Sequence, residues 1–310
     1  MSNFAAPFWL IDFAPLLVST LAALSCALLG SYLVLRKQAL MGDALSHAVL
    51  PGLAVGFMIT GSISVFPMMA GAFGACLLAV ALIGALKKYA RLESGLAMGI
   101  VFTTLFALGV VLLEKKVGRG VHLDAKHALY GALEFIYWPE ITNARDLLDP
   151  ANWAKVPRQI AVLLGFNALL LLIVTVFFKE LNLLAFDPLM ARSLGLPVDL
   201  MNIGFMALVA IAAVAAFEAV GSILVIALLI CPAATARMLC DDMRTQLFLS
   251  AGFAILSALS GYALASLLPR ALGFDYAWSA AAMIAVVAGL LQILAMLFAP
   301  CYGALRKSFQ

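Results

Sequence analysis

Two side chains early in the sequence have the types and the spacing of a metal-binding pair. Asp43 and His47 stand four residues apart, so a helical segment would present both on one face. A carboxylate and an imidazole suit Mn²⁺, Zn²⁺ or Fe²⁺ and do not select among them. The alternative is structural: Asp43 caps a helix and His47 satisfies a local hydrogen bond. The spacing alone leaves both interpretations open.

Other ionisable side chains offer weaker candidates. Glu218 lies between two apolar runs, where it would line the same pathway as a third ligand or as a gate. Its alternative position is an outer turn that meets water. His122, Asp124 and His127 form either an outer metal antechamber or part of a solvated loop. Glu134 has no role that the sequence explains.

These groups must be held by membrane helices, because the composition excludes a soluble protein. Of the 310 residues, 65% are hydrophobic and 11% are charged, and the mean hydropathy is +1.10. Soluble domains are about half apolar and about a quarter charged. The net charge of +3 predicts no nucleic-acid partner. A phosphate-binding loop of the form GxxxxGKS/T is absent, so we expect no nucleotide site of that kind. The HExxH, GxSxG and dinucleotide-binding patterns are absent as well, so we expect no catalytic residue and no permanently bound cofactor.

Apolar runs predict an all-α, polytopic bundle of about eight to nine transmembrane helices, in one domain over residues 1–310. Each span needs about 20 mostly apolar residues. The runs place helices near residues 14–35, 47–60, 63–86, 95–113, 159–178, 201–216, 218–236, 246–268 and 277–299.

The segment around Pro51 is expected to depart from this regular pattern. Pro51 disfavours helix at the residue before it, and Gly52 tolerates unusual backbone dihedrals. We therefore expect a broken or re-entrant helix near residues 38–52, an arrangement that places substrate at membrane depth in transporters. Because Arg36 precedes Asp43 by only a few residues, the metal role requires this segment to fold back toward the middle of the membrane.

Lys and Arg residues predict the orientation of the bundle. Basic residues of cytoplasmic loops outnumber those outside, and most basic clusters fall on one side when the helices alternate. These clusters are Arg36–Lys37, Lys87–Lys88–Arg91, Lys179–Arg192, Arg237–Arg244 and Arg306–Lys307. That side should be cytoplasmic, with the N-terminus outside and the C-terminus inside. The basic region 114–158 does not follow this pattern.

The loop over residues 179–199 contains the signals of a short helix. Asp187 can cap a helix that begins at Pro188, and Gly195 with Pro197 can end it. A short capped helix on the inner face is a suitable contact for another protein. The alternative is an ordinary connecting loop.

Several segments, in this order along the chain, resemble the membrane subunit of binding-protein-dependent ABC importers for manganese, zinc and iron. The matching segments are residues 40–52, 99–102, 186–188 with Ala191, 194–197, 220–225, 232–236 and 299–303. The sequence differs from the family pattern at residues 268–273 and in the length of segment 115–127. The resemblance implies a permease that moves a divalent transition metal into the cytoplasm by alternating access.

The resemblance also implies partners and site residues. It implies a homodimer in the lipid of the bacterial cytoplasmic (inner) membrane, with cytoplasmic ATP-binding subunits that hydrolyse ATP and an extracytoplasmic metal-binding protein. Asp43 and His47 fall on the family's pathway motif. The residues that fall on its ATPase coupling helix are Asp187, Pro188, Ala191, Leu194, Gly195, Leu196 and Pro197.

Two other classes of protein are compatible with some of these features. In a proton-coupled secondary metal transporter, Asp43 and Glu218 would carry protons. Few carboxylates lie in the apolar runs, however, and no inverted repeat is visible. An intramembrane metallohydrolase would need more metal ligands than one His–Asp pair supplies.

Overall fold

The computed structural model describes residues 8–61, 65–117, 133–153, 155–273 and 278–299. Nine helices in these ranges are long and apolar enough to cross a membrane, which confirms the predicted polytopic all-α bundle. The helices of six or more residues, in chain order, are α1 Phe13–Leu35, α2 Leu40–Thr60, α3 Val65–Tyr89, α4 Ser94–Val117, α5 Arg158–Val176, α6 Phe178–Phe186, α7 Pro188–Ser193, α8 Val198–Val220, α9 Ser222–Leu239, α10 Met243–Ala271 and α11 Ala280–Phe298.

Helix α1 lies at the centre of the bundle and packs against α5, α8, α9 and α10. At Gly30 a Cβ atom would lie 1.9 Å from the carbonyl oxygen of Leu229, so only glycine permits the close approach of α9. Asn167 of α5 and Ser250 of α10 donate hydrogen bonds to α1 carbonyls at 3.0 and 3.1 Å. These side-chain donors are therefore paired inside the bundle, where no water replaces a missing acceptor.

Helix α2 runs without interruption from Leu40 to Thr60, so the predicted break or re-entrant turn near residues 38–52 is wrong. The physical reason is packing by α3 and α4. A Cβ on Gly109 of α4 would lie 2.9 Å from Cδ of Pro51, and one on Gly52 would lie 2.5 Å from the carbonyl oxygen of Gly71 in α3. Two closely packed neighbours hold this segment in helical form despite the hydrogen bond that proline removes.

Alternate crossing by the nine spans places their connections at two ends of the bundle. Residues 36–39, 90–93, 177–197 and 240–242 lie at one end, which we call the basic end. The basic residues at this end are Arg36, Lys37, Lys87, Lys88, Arg91, Lys179, Arg192, Arg237 and Arg244. The opposite end carries the start of α1, segment 133–153 and the turn at Gly221. His122, Asp124, His127 and residues 306–307 lie outside the described residues.

Segment 133–153 ties helices together at the opposite end. The carboxylate of Glu134 accepts a hydrogen bond from the backbone N–H of Ala280 at 2.9 Å, a favourable place for negative charge at the N-terminus of α11. Trp138 is fully buried, and its ring contacts those of Phe13 and Trp153. Glu134 therefore has a structural role that the sequence alone did not explain.

Candidate functional site

Helix α2 places Asp43 and His47 side by side in its first two turns, near the basic end, without the fold-back toward the middle of the membrane that the metal role was expected to require. A cation site at this pair would therefore lie toward the basic end of the bundle. Asp43 lies in the first turn of α2 and His47 lies one turn further along the helix. Asp43 Oδ1 is 3.3 Å from His47 Nε2, and their side chains are 28% and 17% exposed. The i, i+4 spacing therefore produces one adjacent oxygen and nitrogen donor pair. The described residues leave both side chains partly exposed, so they do not by themselves close the pair off from a cation.

Two aromatic side chains of α4 hold the imidazole of His47. The ring centroids of Phe102 and Phe106 lie 4.6 and 5.0 Å from that of His47, and Phe106 meets it edge-on at 82°. Contacts of this kind restrict the orientation of a ring. Neither phenylalanine was predicted from the sequence to contact His47. Their own i, i+4 spacing on the fourth apolar run was the available signal.

The donor pair is too small to complete the coordination of a metal ion. Within the described ranges, no group of three or more His, Cys, Asp or Glu side chains is arranged to hold a metal. Divalent transition metals in proteins take four or more ligands. Asp43 and His47 therefore need ligands from another source to form a full coordination shell.

Glu218 lies in the last turn of α8 and forms an ion pair with Arg158. The predicted boundary before Glu218 is displaced, because α8 continues to Val220 and the chain turns at Gly221 with φ of 80°. Glu218 Oε2 is 3.2 Å from Nη2 of Arg158, the first residue of α5. This ion pair joins α5 and α8 at the end opposite the basic end. The structure does not bring Glu218 together with Asp43 and His47.

The predicted short helix is present as α7. Oδ1 of Asp187 accepts hydrogen bonds from the backbone N–H groups of Leu189 and Met190, both at 3.0 Å. Pro188 occupies the first turn, where its missing N–H has no cost. Gly195 ends the helix with φ of 80°, a conformation that side chains with a Cβ rarely adopt.

Helix α7 has one buried face and one exposed apolar face. Ala191 is fully buried and belongs to a small cluster with residues of α6 and α8, against which Leu196 packs before Pro197 leads into α8. Leu189, Met190 and Leu194 are 77%, 52% and 62% exposed. An exposed apolar tip on a rigidly anchored helix is suited to insertion into a partner's groove.

The nine long apolar helices of the described ranges define a polytopic membrane protein. The model of the ABC 3 transport family matches residues 12–144 and 154–301. The chain belongs to this family.

Curated relatives and a solved structure agree with the family assignment. The manganese transport system membrane protein MntD of Bacillus subtilis is 37% identical over 291 residues, which are 94% of this chain and 92% of MntD. The zinc transport system membrane protein TroD of Treponema pallidum is 35% identical, over 94% of this chain and 75% of TroD. A chain in the structure of PsaBC from Streptococcus pneumoniae in complex with Fab superposes with a TM-score of 0.74 at 27% identity, over 95% of this chain and 94% of that chain.

Proposed function

We propose that this chain is the membrane permease subunit of an ATP-driven importer that moves Mn²⁺, Zn²⁺ or Fe²⁺ into the cytoplasm by alternating access. The observation that carries the proposal is membership of the ABC 3 transport family over most of the chain. The Asp43–His47 pair, partly open on one face of α2, is the proposed cation site. Similarity to transport proteins named for manganese and zinc supports a cation of this class. Membership of an ABC transport family does not favour the proton-coupled alternative.

The remaining metal ligands come from a second copy of the chain. Asp43 and His47 supply one carboxylate and one imidazole, and both remain partly exposed. Two such pairs that meet across the axis of a homodimer provide two carboxylates and two imidazoles for one cation. This set of hard oxygen and borderline nitrogen donors suits Mn²⁺ or Fe²⁺ at least as well as Zn²⁺.

The transport cycle couples the cation to ATP in partner subunits. An extracytoplasmic metal-binding protein delivers the cation to the outward-open dimer. ATP binding in two cytoplasmic subunits displaces α7, whose exposed apolar tip is docked on them, and the bundle reverses access. Direction follows from the different affinities of the two states for ATP and metal. The protein lies in the bacterial cytoplasmic (inner) membrane, with its basic end and C-terminus inside and its N-terminus outside.

Reconstitution tests this function. Proteoliposomes that contain this chain and its ATP-binding subunits should accumulate the cation only when ATP is enclosed and the delivery protein is outside. A protonophore should leave accumulation unchanged. Accumulation without ATP that collapses with the proton gradient would instead support the secondary transporter.

Removal of an aromatic contact should weaken the site without destroying it. We expect Phe106→Leu to raise the half-saturating metal concentration for uptake about three- to tenfold, because an aromatic contact contributes about 0.5–1.5 kcal/mol. The measurement is the concentration dependence of ATP-driven uptake. Phe66→Leu is the matched control, because Phe66 of α3 is 83% exposed. An unchanged half-saturating concentration in Phe106→Leu would show that the phenylalanine does not position His47.

A charge exchange separates the two roles considered for Glu218. We propose that its ion pair with Arg158 closes the outer end of the bundle as a gate. Glu218→Arg alone should lower uptake, because it places two cations together, and Arg158→Glu with Glu218→Arg should restore most of it. The readout is uptake by membranes that hold equal amounts of each variant. A double variant as inactive as the single one would favour a metal-ligand role for Glu218.

A further inference from the structure

A polar cavity lies at the basic end, where α1 leaves the membrane beside α6, α7 and α8. Its volume is about 320 Å³. The residues that line it include Arg36, Lys37, Gln38, Leu184, Pro188 and Asn202. Two of these side chains are cationic, and within the described part of the chain the lining contributes no carboxylate.

The guanidinium of Arg36 is fixed in place but not fully paired. Its Nη2 donates a hydrogen bond to Oδ1 of Asn202, and its Cζ lies 5.0 Å from the ring centroid of Phe205. Its Nη1 is shielded from solvent and finds no acceptor in the described part of the chain, where Oε1 of Gln38 likewise finds no donor. These two contacts hold the plane of the guanidinium while part of its donor capacity remains unused.

Arg36 is also a shielded cation that has no counter-ion among the described residues. No acidic side chain in the described ranges lies within ion-pair distance of it. Burial lowers the pKa of Arg36 to about 10, so the group stays charged at neutral pH. An unpaired shielded charge is costly. The unpaired charge of Arg36 favours a bound anion as its counter-ion.

We propose that this cavity binds a phosphate group through Arg36 and Lys37. The planar fork of arginine matches phosphate oxygens, and lysine adds a point charge. The side-chain amides of Gln38 and Asn202 border the cavity and can donate further hydrogen bonds. The volume is near the lower limit of small-ligand sites, which accommodates a phosphate with a short ester.

The position of the cavity is compatible with two sources of phosphate. The first membrane span ends at Leu35, directly before the two cations, so the cavity lies at the level of phospholipid headgroups. Basic pockets between transmembrane helices bind such headgroups. A soluble phosphate ester has the same recognition chemistry. Pro188 begins α7 and forms part of the wall, so an occupant would brace this helix against the end of α1.

The test uses the full-length chain in phosphatidylcholine nanodiscs. In one arm, phosphatidylglycerol is titrated into the disc lipid, and in the other, inorganic phosphate is titrated into the buffer. A ligand that binds the folded state raises the melting temperature in a saturable way. We expect one arm to do so, and the arm that does identifies the source. Arg36→Gln should weaken the apparent affinity about tenfold, and Lys37→Gln should weaken it about threefold.

Arg91→Gln is the matched control, because Arg91 is an exposed cation at the same end and its φ of 53° matches the φ of 54° at Lys37. It should leave the affinity unchanged. If Arg36→Gln does not fold, the proposal requires that Lys37→Gln alone lower the apparent affinity for the stabilising ligand about threefold. If Lys37→Gln and Arg91→Gln lowered the apparent affinity equally, the effect would come from the general positive charge of the surface. That result would overturn the proposal. Failure of both arms to stabilise the wild-type chain would overturn it as well. None of these outcomes depends on metal import.

Discussion

His47→Ala is expected to lower ATP-driven metal accumulation by about a hundredfold or more. Loss of groups that only support a metal ligand already costs about 10- to 100-fold, and this substitution removes a ligand itself. In the proposed dimer it removes two imidazoles from one site. The measurement is the initial rate of uptake into proteoliposomes that contain the complete transporter. Asp43→Asn should have a comparable effect, because Asp43 lies 3.3 Å from His47 and belongs to the same donor pair.

Asp241→Asn is the matched control for the loss of a carboxylate. Asp241 lies at the same basic end, is 61% exposed and pairs with Arg237 rather than with the donor pair. Its substitution should leave the uptake rate within about twofold of wild type, because exposed ion pairs contribute little. Full uptake by His47→Ala at wild-type protein levels would place the pathway elsewhere in the bundle.

Leu189→Glu is expected to disconnect the permease from ATP hydrolysis. Leu189 is the most exposed apolar side chain of α7 and lies directly after Pro188 at the start of the helix. A carboxylate at this position would lose its hydration in the apolar groove that we propose on the ATP-binding subunits. Central apolar anchors contribute about 2 kcal/mol or more, so we expect assembly with the ATP-binding subunits to weaken about thirtyfold or more. Co-purification of the subunits and metal-stimulated ATP hydrolysis measure the effect.

Tyr89→Glu provides the comparison for a charge placed elsewhere on the basic end. Tyr89 ends α3 and is 79% exposed, in a connection separate from α7. We expect this variant to assemble normally. If Leu189→Glu also assembled and hydrolysed ATP normally, α7 would not be the coupling helix. Met190→Glu, on the same exposed face, should reproduce the loss if the assignment of α7 is correct.

Structural features that depend on residues within one segment were predictable from the sequence. Apolar runs of membrane length gave the number of spans, because a lipid environment demands long apolar helices. The four-residue spacing of Asp43 and His47 predicted that their side chains would lie together on a helix, and in α2 they lie 3.3 Å apart. Asp187, Pro188 and Gly195 predicted the start and end of α7, because caps depend on local hydrogen bonds and dihedrals.

Features that depend on other segments were not predictable. The break expected near Pro51 is absent because α3 and α4 pack closely on both sides of α2, and neither contact has a local signal. Glu134 caps a helix whose first residue is 146 positions later. Glu218 pairs with Arg158, 60 positions earlier. In each case the deciding partner is distant in sequence, so hydropathy and spacing carry no information about it.

The most direct test of metal import is elemental analysis of cells. Manganese, zinc and iron are measured in a strain that lacks the gene for this chain, and in the same strain carrying either wild type or His47→Ala. We expect at least one of these metals to fall in the deletion strain. That metal returns with wild type and stays low with a well-expressed His47→Ala. Unchanged levels of all three metals in the deletion strain, grown where no second importer is expressed, would contradict metal import by this protein.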